Sequence, residues 1–172
     1  MSTRFINPST ISKPPGYTHV VEATTPGRIV YIAGQLGLDV DGKVAGGPGD
    51  FRAQAEQTFE NLKNALAAVG ATFKDVVKLN NYLTDLGHLP IFREVRDAYL
   101  NAASPPASTT IQISKLARDG ALIETEAVAV LPAKAAAPAR SGGRATRAAK
   151  PAARKSAHKA PARKAPTRKK RK

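Results

Sequence analysis

Apolar and polar residues along the chain follow two different periods. Alternation predicts strands at His19-Val20-Val21-Glu22-Ala23 and at Arg28-Ile29-Val30-Tyr31-Ile32-Ala33, joined through Thr25-Pro26-Gly27. A short edge strand is expected over Arg4–Asn7, ahead of Pro8. Helical spacing then takes over. Ala55, Phe59, Leu62, Leu66 and Val69 form one apolar stripe, which predicts a helix over Phe51–Val69 lying on a sheet. Asp50 suits its N-cap, and Gly70 its stop. Alternation returns over Lys74–Leu83, with Val77, Leu79, Asn81 and Leu83 expected on one face. A second helix is predicted over Leu89–Leu100, with Phe92, Val95, Ala98 and Tyr99 inward and Pro90 in its first turn. The β-branched run ending at Ile113 and the run Leu122–Val128 flank Ala117-Arg118-Asp119-Gly120, and read as two neighbouring strands. The order ββαβαββ, with an added N-terminal strand, predicts an α+β fold: a mixed sheet with both helices on one face.

The last strand carries an unusual pattern. Period two puts Glu124 and Glu126 on one face, with Ile123, Thr125 and Ala127 on the other. Two readings stand side by side. The carboxylates face solvent from an open sheet face, or one of them points into a cleft made by this sheet and something packed against it.

Composition divides the chain in two. Of its 172 residues, 27 are Lys or Arg and 13 are Asp or Glu, for a net charge of +14. From Ala133 onward there are 15 basic residues and no acidic one, leaving 27 − 15 = 12 basic against 13 acidic before it. The boundaries expected are therefore a folded domain over 1–132 and a basic tail over 133–172. The front part is long enough for one sizeable core. The Ala/Lys/Pro/Arg tail has no large apolar side chain to offset its ordering entropy, so it is not expected to fold by itself. Its composition resembles the C-terminal tails of linker histones. Polyanion contacts are expected from Lys164, Arg168, Lys169, Lys170, Arg171 and Lys172, without base-specific reading.

Other chemistry is excluded or left without support. There is no cysteine, hence no disulfide and no thiolate nucleophile or ligand. Three histidines lie far apart in sequence, at 19, 88 and 158, so no metal is expected. Gly46-Gly47-Pro48-Gly49 has neither the Lys-Ser/Thr ending of a phosphate loop nor a dinucleotide fingerprint. No signal peptide or membrane span is expected, and a soluble cytoplasmic protein is the default, associated with the nucleoid if the tail engages DNA. No cofactor is implied.

Several short motifs, taken in order, resemble one family. Gly16-Tyr17, Ala33-Gly34-Gln35, Val76-Val77-Lys78 running on to Leu83-Thr84-Asp85-Leu86, Pro106-Ala107, and Ile123-Glu124-Thr125-Glu126-Ala127 match the pattern of the reactive-intermediate deaminases (RidA, or YjgF). The match extends over roughly Asn7–Leu131. The resemblance implies a chorismate-mutase-like fold, homotrimers with clefts between subunits, and hydrolysis of small imino or enamino acids to keto acids and ammonia. Residue by residue, it makes Glu124 the candidate that positions or activates water. Tyr17 becomes a cleft wall, and Gly34 the point where backbone approaches the ligand. Ser108 stands where the family carries its carboxylate-binding arginine, Thr110 where a cysteine is common, and Ala33 where a serine is common. Arg93 falls where many relatives have asparagine, and is the candidate replacement charge. Three functions stay open: a deaminase with altered substrate, a non-catalytic trimer that binds a small metabolite, and a nucleic-acid partner acting through the tail.

Overall fold

The computed structural model describes residues 1–25 and 27–133. The tail candidates Lys164, Arg168, Lys169, Lys170, Arg171 and Lys172 lie outside the described residues. The strands are β1 (Ser2–Ile6), β2 (Val20–Thr24), β3 (Arg28–Leu36), β4 (Val76–Leu83), β5 (Ala107–Gln112) and β6 (Ile123–Leu131). The helices are α1 (Phe51–Ala68) and α2 (Leu89–Tyr99), each preceding or following a short 3-10 turn, at Phe73–Asp75 and Leu86–His88. An α+β fold results, as the periodicity predicts.

Strands β1 and β2 pair antiparallel as a separate ribbon, and the main sheet has the order β3-β6-β4-β5. That order corrects one expectation: β5 and β6 are not neighbours. Strand β4 lies between them, antiparallel to β6 and parallel to β5. Alternation reports which face a residue takes and is silent on which strand lies beside it, so the turn-like segment between the two runs misled. A second correction concerns Val77. A register shift between Val76 and Lys78 turns Val76 into the core, 2% exposed, and leaves Val77 only half-buried. Beyond the shift Leu79, Asn81 and Leu83 point inward as expected.

Helix α1 begins at Asp50, whose carboxylate accepts from Ala53 N–H at 3.0 Å, and its end is followed by Gly70 at φ 72°. Its stripe of Ala55, Phe59, Leu62 and Leu66 is fully buried against Leu79, Leu83, Ile123, Ala127 and Ala129 of the sheet. Helix α2 adds Phe92 and Val95 to the same core, so both helices cover one sheet face. Ala98, expected inward, is exposed; Arg96 is buried in its place, at 5%. Phe59 is the hub, with ring centroids of Tyr99, Phe73 and Phe92 at 5.2, 6.0 and 6.3 Å. A side chain of this size contributes about 1.5–3 kcal/mol by leaving water.

The opposite sheet face has no cover among the described residues. Cross-strand pairing lays out its rows: Glu124 beside Tyr82 and Ile111, and Glu126 beside Asn80 and Thr109. Tyr31 is 79% exposed, Ile29 52% and Ile111 44%. Among the described residues no helix is long and apolar enough to cross a membrane.

Candidate functional site

The helix-covered face of β5 carries Ser108 and Thr110, held by one buried amide. Asn81, 1% exposed on β4, donates from Nδ2 to Ser108 Oγ at 3.1 Å, Thr110 Oγ1 at 3.2 Å and the Thr109 carbonyl at 3.0 Å. Thr125 Oγ1 on β6 donates to Asn81 Oδ1 at 3.2 Å, which fixes the orientation of the amide. Four side chains on three adjacent strands therefore form one network, and an amide left unpaired there would carry its full desolvation cost.

Tyr17 arrives beside them by a separate route. Thr18 N–H donates to the Pro106 carbonyl at 3.1 Å and Thr18 Oγ1 to the Pro105 carbonyl at 2.5 Å, which docks the segment ahead of β2 onto the start of β5. Gly16, at φ 90°, makes the turn that precedes Tyr17; a β-carbon there would sit 2.8 Å from Arg96 Nη2. Helix α2 supplies the third wall with Leu89, Phe92, Arg93 and Arg96. The cleft between them measures about 310 Å³, and Tyr17, Arg93, Ser108 and Thr110 all line it. Four of the sequence-predicted residues thus surround one space.

Arg96 was missed by the sequence reading. It falls at i+4 from Phe92 and i+1 from Val95, on the apolar stripe of α2, and an arginine on such a stripe was the signal available. Its Nε donates to Asp97 Oδ1 at 2.8 Å, with Nη2 2.7 Å from the same oxygen, and its guanidinium carbon stands 5.7 Å from the Phe92 ring centroid.

Gly34 and Glu124 lie elsewhere, together, on the uncovered face. A register shift between Ile32 and Gln35 bulges β3 outward at Ala33 and Gly34. The Glu124 carboxylate lies across the gap that the missing side chain leaves, so a β-carbon on Gly34 would collide with Glu124 Oε1. The two glutamates differ in occupation. Glu126 accepts from Asn80 Nδ2 at 2.7 Å and from Tyr82 Oη at 3.2 Å, whereas Glu124 has no hydrogen-bond partner among the described residues. Burial, and then the charge of Glu126, push the Tyr82 hydroxyl above its ordinary range, so it stays a donor. Burial also holds the Lys78 ammonium below its ordinary range; it donates to Thr109 Oγ1 at 2.7 Å. Within one chain, then, the six candidates fall into two groups on opposite faces of the sheet.

The comparisons with known proteins agree with this architecture. Residues 10–131 match the family model described as Endoribonuclease L-PSP. Protein DfrA of Myxococcus xanthus is 40% identical over 114 residues, 66% of this chain and 84% of its own. The 2-iminobutanoate/2-iminopropanoate deaminase of Mus musculus is 34% identical over 123 residues, 71% of this chain and 88% of its own. The crystal structure of YyfB from Yersinia pestis, a protein of unknown function of the conserved Rid protein family, matches with a TM-score of 0.68 at 36% identity, covering 76% of this chain and 100% of that one. With the fold, the motif order and these likenesses in agreement, the chain belongs to the Endoribonuclease L-PSP, or RidA, family.

Proposed function

We propose that the protein is a cytoplasmic homotrimer that hydrolyses the C=N bond of a small imino acid. The single observation that carries this reading is the cavity in which Tyr17, Ser108, Thr110, Arg93 and Arg96 converge. It offers hydroxyls and positive charge to a small acid, and deaminases at 31–34% identity supply the reaction class. The uncovered sheet face, with Tyr31 and Ile29 exposed, is apolar surface that a second and third copy would bury. In such an assembly the Glu124 and Gly34 pair of one subunit faces the cavity of the next, completing a site that one chain leaves divided.

The chemistry follows from that arrangement. Glu124, free of other partners, takes a proton from water as the water oxygen bonds to the imine carbon. The C=N π pair moves to nitrogen, which takes that proton back from Glu124. The resulting carbinolamine expels ammonia as its oxygen forms the carbonyl, so an imine and water become a keto acid and ammonia. Gly34 lets the carboxylate approach along the backbone, while Tyr17 closes the cavity wall.

The test is hydrolysis of imino acids generated in place by an amino-acid oxidase, with semicarbazide trapping what escapes. Glu124→Ala is expected to lower turnover about 100-fold, the usual scale of a general base. Turnover that survives Glu124→Ala intact would remove the mechanism. A second reading is favoured by Ser108 at the arginine position: a trimer that binds a small acid without turning it over. Ligand binding with no turnover of any imino acid would select it. The tail, in either case, is proposed to hold nucleic acid through its charge alone.

A further inference from the structure

Positive charge gathers along one wall of the cavity. Arg96 and Arg93 both line it. They stand three apart on α2, a spacing that puts side chains next to each other on one helix face. Arg96 is the deep one, its side chain 6% exposed; Arg93 is exposed and has no ion pair among the described residues. Asp97 engages Arg96 through Nε and Nη2 with a single oxygen, from a side chain 59% exposed. Only the Asp97 end of this pair is open to water, and Arg96 Nη1 has no protein acceptor among the described residues. No carboxylate of the same chain lines the cavity among the described residues. Two guanidinium groups thus border one space, each with donors left for a ligand.

We propose that the cavity selects a dianion, a small 2-imino dicarboxylate. One carboxylate lies on Arg96 within reach of the Ser108 and Thr110 hydroxyls. The other lies on Arg93 at the rim, and the methylenes between them run along Leu89 and Phe92. The identity of the reacting C=N group rests on the deaminase reading above; the preference for two acids rests on the arginines alone. Hydrolysis of such an imine yields a 2-oxo dicarboxylate and ammonia, so the keto dicarboxylate is a stable probe of the same subsites.

The experiment is calorimetric titration of the full chain with 2-oxoglutarate and with 2-oxobutanoate. The basic tail is present in every sample, so differences between variants report the cavity. The wild type is expected to bind 2-oxoglutarate about tenfold more tightly, the scale of one added charge-assisted contact. Arg93→Gln should bring that ratio close to one. Arg96→Gln should weaken both ligands, with thermal unfolding checking that the variant folds. If it does not, Asp97→Asn supplies the second reading: by freeing Arg96 of its competitor it should tighten both acids by about threefold, the scale of an exposed pair. Equal affinity for the two acids in the wild type, or a ratio untouched by Arg93→Gln, would overturn the proposal. Preferential binding of 2-oxoglutarate without hydrolysis of 2-iminoglutarate would uphold the dianion site and overturn the deaminase reading.

Discussion

Asn81 shows how little sequence separates a structural residue from one that shapes a site. Period two places it inward, where an asparagine normally demands partners, and those partners turn out to be the two hydroxyls facing the cavity. Gly34 makes the complementary point, since its value lies in what is missing. Gly34→Ala should displace the Glu124 carboxylate from the β3 bulge with a stability loss under about 1 kcal/mol, because the new methyl meets the free end of a flexible side chain. Chemical denaturation of Gly34→Ala and of the double variant Gly34→Ala, Glu124→Ala tests this. The single variant should lose activity while keeping nearly the wild-type stability, and the double variant should match it in both; a large stability loss restored in the double variant would show that the carboxylate is held in place.

At the level of elements, helices and faces were legible while neighbours and bulges were not. The stripe of α1 and the alternation of β6 each reflect one element meeting one core, which a local period encodes. Strand order depends on which chain segments meet across the sheet, and nothing in the run from Ile113 to Leu122 says that β4 will lie between its flanks. Arg96 escaped for a related reason: apolar counting discards an arginine, even on a buried stripe. The contact between α1 and α2 carries a pH-dependent prediction. Burial, then a hydrogen bond to Glu60 at 3.0 Å, raise the Tyr99 hydroxyl from 10.0 to about 12. Its folded value exceeds its unfolded one, so the neutral phenol favours the fold below pH 10 and that advantage fades as pH rises towards 12. Tyr99→Phe should therefore flatten the alkaline decline of stability across that window, as read by denaturant midpoints at successive pH values. An unaltered decline would place its cause in other groups.

For the whole molecule, the open sheet face and the charge imbalance set the predictions. Light scattering on the full chain is expected to give three times the 18.1 kDa of one chain. A monomer at micromolar concentration would leave the Glu124 and Gly34 pair without a cavity to face. The tail's 15 positive charges should bind duplex DNA with little sequence preference. Log K should fall against log salt by about 0.9 for each phosphate contacted. Comparing the full chain with a version ending at Pro132 across a salt series tests this; equal binding by the shortened chain would locate the contact elsewhere. Three tails on one trimer would strengthen attachment without any new contact.

The amide of Asn81 has a consequence for the order in which products depart. Because Ser108 Oγ and Thr110 Oγ1 both accept from it, their own hydroxyl protons remain to be offered into the cavity. The two guanidinium groups can only donate. A keto acid, negatively charged and rich in acceptors, suits such a lining; ammonium carries the same sign as the two guanidinium groups and is repelled by them. In the proposed reaction the nitrogen therefore leaves first and the carbon skeleton lingers, so the keto acid inhibits while added ammonium does not.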